Sequence, residues 1–506
     1  MVRLPQTPAR PGRDRARPLQ NIGLALVLWV LGVPALGAAD GGVLAVVGGT
    51  LVDGTGAPPV PDAVVVVRDG RIACAGPRAG CPVPEGARVL DAAGQWLTPG
   101  LVDAHVHYSQ TGWADGRPDS LDVRESHPYA EVEAKLAERP ERFHRSYLCS
   151  GVTAVFDVGG YPWTLALGEE TAADPSAPRV AAAGPLLSTL DHWLNLPAER
   201  QFLYLAEPGD AARYVRYLAA RGADAVKFWF IPVEERPFAE LEALVAAAGE
   251  ASRAAGLPLI VHATGLREAK AALRAGARVL VHGVSDVPVD DEFLELARGS
   301  AGDGGTVYTP TLTVSRGYLR LYASALRGEA PAIDDPRGCV DPETRARVAE
   351  TARMGELALA EGLTVERLGA IEERIAGQEE VAAANLLAVY RAGIPVAMGT
   401  DAGNPLTLPG PSVHAELEAM AAAGLTPAEV LVAATLGGSR AMGLEDEIGT
   451  VETGKAADLL VLGADPTASV RAFRELRWVV RAGVPGRVEE LSYAPAPAAE
   501  APAAPP

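Results

Sequence analysis

The 506-residue sequence predicts an α/β protein: a (β/α)8 TIM-type barrel with a small composite β-sandwich domain formed by both chain ends. Three observations carry that expectation. Between about residues 97 and 447, eight short β-rich runs alternate with Ala-rich helical stretches, the order expected of repeated βα units and the strand number a barrel requires. Short strands separated by turns return on both sides of this region, at 43–96 and after Gly449. Four of the eight histidines fall at or near the carboxyl ends of the proposed strands. In a barrel all those ends meet at one face, where active sites are built.

Composition narrows the function classes. Hydrophobic residues make up 48% of the chain, enough for a large core. The formal net charge is −19, which speaks against nucleic acid or an anionic membrane surface as partner. Four cysteines are too few for a disulfide scaffold of this size.

Residues 1–39 read as a Sec-type signal peptide. Arg3, Arg10, Arg13, Arg15 and Arg17 give a positive start, Ile22–Val33 an apolar run, and Pro34 with Gly37-Ala38-Ala39 a cleavage region. The expectation is a secreted or periplasmic protein with no stable membrane association after cleavage. Export makes disulfides chemically possible. Cys74 and Cys81 flank a Gly/Pro turn, and Cys149 and Cys339 remain for a second pair. Four cysteines allow three connectivities, and the sequence leaves the choice open.

Residues 40–96 read as the first part of the β-sandwich domain. Its clearest element is VVVVRDGRIACAG, where Asp69-Gly70 between β-rich runs signals a hairpin. The barrel, 97–447, draws its strands from LVDAHVH, VTAVFDV, RVAAAGPLL, AVKFWF, LIVHAT, VLVHGV, TVYTPTL and PVAMGTDA. A long, mostly helical insertion, roughly 313–394, separates the last two; such insertions shape substrate access. Thr426-Pro427-Ala428-Glu429 is a capping box with proline at the first helical position. Residues 448–490 supply the second part of the β-sandwich domain, and 491–506 read as a disordered tail of low complexity.

The chemistry sits at strand ends. His105 and His107 alternate on the first strand, so both imidazoles point to one side. His262 ends the fifth strand, His282 the sixth, and Asp401 the eighth, beside the first in a closed barrel. Imidazoles and a carboxylate gathered in this way suit a divalent metal. Lys227 ends the fourth strand, and taken alone it reads as a salt-bridged lysine, because divalent ions repel an ammonium group. His414, at the start of a helix, reads as structural, and His127 and His144 receive no role. Trp113, Tyr161, Trp163, Trp193 and Trp229 lie in the expected binding loops and suggest a pocket for a ring or apolar side chain. Arg117 and Arg124 are candidates for a substrate carboxylate or plain surface charges.

Taken together, LTPGLVDAHVH, GVTAVFDVGG, DAVKFW, VHATG, VHGV, TPTL, MGTDAG and GTVETGKAADLLVL resemble the amidohydrolase superfamily, near its imidazolonepropionase-like and Xaa-Pro dipeptidase-like branch. The resemblance spans about 43–485. It implies a metal-dependent barrel with two divalent ions; zinc is the first expectation for His/Asp ligands, and manganese, cobalt and iron suit them too. His105, His107 and Asp401 would bind the more buried ion, and His262 and His282 the second. Lys227, carrying CO2 as a carbamate, would bridge them, which removes the charge objection. A bridging hydroxide would attack the carbonyl, with Asp401 as base and then acid. His192 would contact substrate, although the family's glycine pair before it is replaced here by Leu190-Asp191.

The expected activity is hydrolysis of an amide or peptide bond in a small substrate, an Xaa-Pro-type dipeptide or an N-acyl amino acid. Two alternatives accompany it. One is a mononuclear hydrolase or deaminase of a cyclic amide or heterocycle. The other is a non-catalytic binding protein on the same barrel. The sequence carries no sign of oligomeric state.

Overall fold

A computed structural model describes residues 42–116, 119–190, 201–299 and 305–493. The signal segment 1–39, the tail beyond Tyr493, His192, Trp193 and Arg117 lie outside the described residues.

Seven of the eight expected runs contain a β-strand. Leu101–Val106, Val152–Asp157 and Arg179–Ala182 pair in parallel. The third strand breaks at Gly184-Pro185 and resumes as Leu186–Ser188, which pairs with Val226–Trp229. Leu259–His262, Val279–Val281 and Val307–Thr309 follow, each parallel to its predecessor. The eighth, residues 395–402, is an extended segment bridged to Tyr308 on one side and Val106 on the other. The Ala104 N–H donates to Met398 O (3.0 Å) and the Asp401 N–H to His105 O (2.8 Å). Backbone hydrogen bonds thus link this last segment back to the first strand. These strands are apolar on both faces, as parallel strands covered on both sides must be.

Two sets of side chains separate along the strands. Ala225, Ile260, Val279, Val281, Val307 and Ala397 share one core cluster. Val226, Phe228, Leu259, Val261, Leu280 and Met398 join a larger cluster with the surrounding helices, including Phe238–Ala255 and Leu266–Arg274. The period of two puts the first set inside the ring and the second outside. Lys227 and His262 continue the inward phase. The first strand changes phase, because its register against the second shifts between Asp103 and Val106. Val106 joins the outer cluster and His105 and His107 take the inner side.

The chain ends build a second sheet. Leu44–Leu51, Val60–Arg68, Arg71–Pro77, Arg88–Asp91 and Trp96–Pro99 are hydrogen bonded to Leu459–Leu462, Leu476–Arg481 and Val484–Arg487. Where a two-sheet sandwich was expected, hydrogen bonds join these strands into one sheet. It branches at Leu44–Leu51, which pairs with Val60–Arg68 along one edge and with both Arg88–Asp91 and Trp96–Pro99 along the other. The sheet has its own core, including Val46, Val65, Leu97, Leu459 and Val480. The Asp69-Gly70 hairpin forms as expected, with both residues at positive φ (52° and 73°) and Arg68 facing Arg71, the geometry of a two-residue turn.

The insertion is helical, as expected: Val314–Arg327, Pro342–Glu350, Gly355–Ala360 and Val365–Arg391. The Thr426 capping box starts the helix Pro427–Val432. Cysteines pair Cys74 with Cys81 and Cys149 with Cys339, Cα atoms 5.8 and 5.5 Å apart. The second bridge ties a helix of the barrel wall, Glu141–Cys149, to the insertion. Order also runs three residues into the expected tail: Leu491 closes the short helix Val488–Leu491, and Tyr493 bonds through its N–H to Gly338 O (2.7 Å) and through its hydroxyl to Arg142 O (2.9 Å). Among the described residues no helix is long and apolar enough to cross a membrane.

Arg481 joins the terminal sheet to the barrel. It is 1% exposed, donates to Ala177 O (2.9 Å) and Thr171 O (2.7 Å), and pairs with Asp458 Oδ1 at 3.3 Å. Removing one member of such a pair leaves a buried charge uncompensated. Arg481→Met is expected to lower unfolding free energy by about 3–5 kcal/mol in denaturant titration. A loss near zero would show that the junction does not depend on this contact.

Candidate functional site

Six of the sequence-predicted residues meet in one cavity of about 300 Å³: His105, His107, Lys227, His262, His282 and Asp401. His192, the seventh, lies outside the described residues. His105 and Lys227 are buried at 0% and 2% exposure, while His262 and His282 are half-buried. The ring centroids of His105 and His107 lie 5.2 Å apart, those of His105 and His282 4.8 Å, and those of His262 and His282 4.4 Å.

Two of these residues reach the cavity through unfavourable backbone. His282 follows the inward-facing Val281 and would point outward in a regular strand. It takes φ +70°, which breaks the alternation and lets it line the cavity. Asp401 has φ +63°. Thr311, which lines the same cavity, has φ +45°, rare for a β-branched residue. Such conformations cost on the order of 1–3 kcal/mol each and persist only where the surroundings enforce them.

The donor atoms are arranged for a cation. Single ligand atoms of His105, His107 and Asp401 lie within 4.8 Å of one another. Asp401 Oδ1 is 3.2 Å from His105 Nε2 and 3.0 Å from His107 Nε2. Yet both ring nitrogens of His105 and Asp401 Oδ1 are buried without a hydrogen bond. Buried polar atoms left this way are costly, and a divalent ion would satisfy Asp401 Oδ1 and one of the two His105 nitrogens. His107 Nδ1 lies 2.7 Å from Gly159 O. A carbonyl only accepts, so Nδ1 carries the proton and the Nε2 lone pair is free for a ligand bond. His282 Nδ1 is likewise held by Thr311 Oγ1 at 2.8 Å.

The charge states suit the same use. Burial pulls the His105 imidazole well below its ordinary pKa, keeping it neutral. Burial pushes the Asp401 carboxyl up, but the surrounding imidazoles outweigh this and hold it well below the usual carboxylate range. A neutral imidazole at His105 beside an ionised Asp401 carboxylate is the pair of forms that binds a metal.

Asp103 stands behind this set. It is 1% exposed. One carboxylate oxygen accepts from Thr400 N (2.9 Å) and His105 N (3.3 Å), the other from Thr400 Oγ1 (2.6 Å). Thr400 Oγ1 in turn accepts from Ala402 N (3.0 Å). The clamp fixes the residues flanking Asp401 against the strand that carries His105. Gly399 permits the approach, since a Cβ there would stand 2.8 Å from His105 Cβ.

The remaining lining was not legible in the sequence. Of the aromatic candidates, Trp229 lines the cavity, joined by Phe202, which packs on it at 5.2 Å. Trp113 is core, its indole donating to Thr351 Oγ1 (2.9 Å), and Tyr161 and Trp163 are absent from the wall. Arg124 pairs with Asp122 on the surface. His127 bonds to Glu350, and His144 and His414 are buried elsewhere, where burial pulls them down to about 4 and about 3. The insertion contributes Ser315, Tyr318, Ile375, Gln378 and Glu379. The Tyr318 hydroxyl is 2.8 Å from Asn404 Oδ1, and Asn404 Nδ2 donates to Asp401 O (2.9 Å), linking the insertion to the site. Only the helical character of the insertion hinted that it would form a wall.

The sequence model of the amidohydrolase family matches residues 96–488. An imidazolonepropionase of Rhizorhabdus wittichii is 28% identical over 450 residues, covering 81% of this chain and 90% of the relative. A solved protein from Bifidobacterium longum has TM-score 0.66 at 24% identity, covering 88% of this chain and 95% of that one. A Xaa-Pro dipeptidase with methionine bound in its active site has TM-score 0.63 at 21% identity, covering 88% and 100%. At these identities the two structures show a shared fold.

Two outcomes test the geometry. Asp103→Ala is expected to weaken divalent-ion binding by about 10–100-fold in calorimetry, the usual cost of losing a partner behind a metal ligand. Asp103→Asn, which keeps an acceptor, should recover most of it; equal affinity in all three proteins would remove Asp103 from the site. Glu416 is fully buried, and its carboxylate holds the cavity wall by accepting from Leu312 N (2.7 Å) and Thr313 N (3.1 Å). Burial raises its pKa from 4.5 to about 7. The folded state thus keeps a proton that the unfolded chain releases, and stability falls as pH rises from 4.5 to 7. Glu416→Gln lacks this titration, so the stability advantage of wild type over the variant should shrink across that window, and a constant difference would contradict it.

Proposed function

The chain belongs to the amidohydrolase family and is a hydrolase acting on carbon–nitrogen bonds, and on that premise we propose an exported, binuclear metal-dependent amidohydrolase. Its substrate would be a small amide, an Xaa-Pro-type dipeptide or an N-acyl amino acid. The observation that carries this reading is the convergence of five metal-binding side chains and one buried lysine on a single cavity. His105, His107 and Asp401 would hold one ion, and His262 and His282 the second. Lys227 would lie between them as a carbamate, an anion, in keeping with its burial beside so many ligands. Zinc suits these donors. Export is supported by the leader-like residues 1–39 and by two paired disulfides, which persist in oxidising compartments.

Divalent ions bound here would acidify a water molecule and polarise the scissile carbonyl. Asp401, ionised and buried among imidazoles, is placed to take the proton of the attacking water. As the C–O bond forms and the C–N bond breaks, the same carboxyl returns that proton to the departing nitrogen, releasing acid and amine. Trp229 and Phe202 offer an apolar wall for the substrate, and Gln110, Gln201 and Asn404 offer polar contacts. His192 would be a further substrate contact.

A second reading is favoured by the likeness to imidazolonepropionases over 81% of the chain. It is a hydrolase of a cyclic amide that uses one ion.

Metal analysis and product analysis separate them. Wild type is expected to hold two ions per chain and to release free amine from dipeptides or N-acyl amino acids. Lys227→Ala should lower the metal content and reduce kcat/KM by more than about 100-fold, the upper range for loss of an outer partner of a ligand. Full retention of both would overturn the carbamate. One ion per chain with ring opening of a cyclic amide would establish the second reading.

A further inference from the structure

A second cavity, of about 390 Å³, adjoins the first. The two share Asp119, Ser315, Tyr318, Ile375 and Gln378 as a common wall, so a molecule reaching past these side chains passes from one to the other. The inner cavity alone is at the lower bound of a typical small-molecule site, and the pair together is drug-sized. The outer one contains none of the candidate metal ligands and is built mainly by the insertion.

Its lining is specific in character. Leu121, Tyr322, Leu363 and Ile371 give it an apolar part within a mixed wall, and Arg367 and Arg374 bring two guanidinium groups. Arg374 donates to Gln378 Oε1 at 3.4 Å, and Arg367 to the backbone oxygens of Gly362 (3.2 Å) and Glu361 (3.4 Å). Among the described residues neither arginine forms an ion pair. The Glu361 carboxylate, also in this wall, accepts from Asp122 N (2.8 Å). Both arginines are exposed, so their guanidinium groups are accessible to an anion.

We propose that the outer cavity is a subsite for the distal part of an extended substrate, an apolar body ending in a carboxylate or similar anion. This rests on the catalytic reading of the inner cavity and deepens it. The natural substrate is then longer than a simple dipeptide, and the anionic end selects it while the amide lies at the inner cavity. Arg367 and Arg374 act as specificity-determining residues, remote from the bond that breaks.

The test uses the metal-loaded protein and ligands that cannot be turned over. Monocarboxylic and dicarboxylic acids of six, eight and ten carbons are compared by calorimetry, with acetate as a probe confined to the inner cavity. One carboxylate of each acid anchors at the inner cavity, and the second, where present, reaches the arginines. At the best length the diacid is expected to bind about tenfold tighter than the monoacid, the size of one charge-assisted contact. The advantage should vanish in Arg367→Ala/Arg374→Ala. Ile371→Trp, which fills the outer cavity, should weaken the long acids and spare acetate. No diacid advantage at any length, or long acids unaffected by Ile371→Trp, would overturn the subsite. Hydrolysis of N-acyl amino acids whose acyl chains end in a carboxylate at the best diacid length is assayed separately on the same protein. Its absence beside an intact binding pattern would sink the catalytic reading and leave the subsite standing.

Discussion

The closure of the strand ring between its first and last members is the constraint on which the site depends. Residues 101–107 and 395–402 are about 300 positions apart in sequence, yet they exchange backbone hydrogen bonds at Ala104, His105, His107 and Asp401. That pairing carries Asp401 to within 3.2 Å of two imidazoles. Asp103 reinforces it from behind, a buried carboxylate that accepts two donors of Thr400 across the seam and the His105 N–H on its own strand. Parallel pairing at such separation is entropically demanding, and the apolar strands and their helical cover supply the compensating burial. The terminal sheet then seals the outside of the barrel through Arg481.

The site is where the fold departs from its own regularity. Along most strands the two-residue period sorts side chains cleanly into ring interior and helix layer. At the carboxyl ends the order is interrupted three ways. A register shift reverses the phase of the first strand, left-handed backbone breaks that of the sixth, and a second left-handed residue, Asp401, ends the eighth. These departures aim donors at one volume and leave buried nitrogen and oxygen atoms without hydrogen bonds. Local rules broken together at one place mark a site whose cost is recovered on binding a ligand.

Much of this was readable beforehand because it depends on local pattern. Apolar runs of strand length announce parallel strands, Asp69-Gly70 announces its turn, and Thr426 with Glu429 announces its helix start. The His-Val-His spacing announces two imidazoles on one side, which the structure has, although by a shift in register and not by simple continuation of the strand. Less readable were Trp113, Tyr161 and Trp163. A ring on a loop fills core or lines a cavity depending on how the loop folds back, and these three turned away from the site. Tyr318, Gln378 and Glu379 escaped notice for the converse reason: an amphipathic helix reveals which face is apolar, not what stands opposite it.

The sequence by itself determined the strand and helix order and the kinds of residue at each strand end, because periodicity and turn chemistry act between near neighbours, and its ordered motifs carried the family resemblance. Tertiary structure alone decided the cysteine pairing, the joining of the terminal strands into one branched sheet, the convergence of donors from five strands, and the second cavity beneath the insertion. Each of these is a distance between residues far apart along the chain, and such distances are set by the packing of whole layers, which no short stretch of sequence specifies.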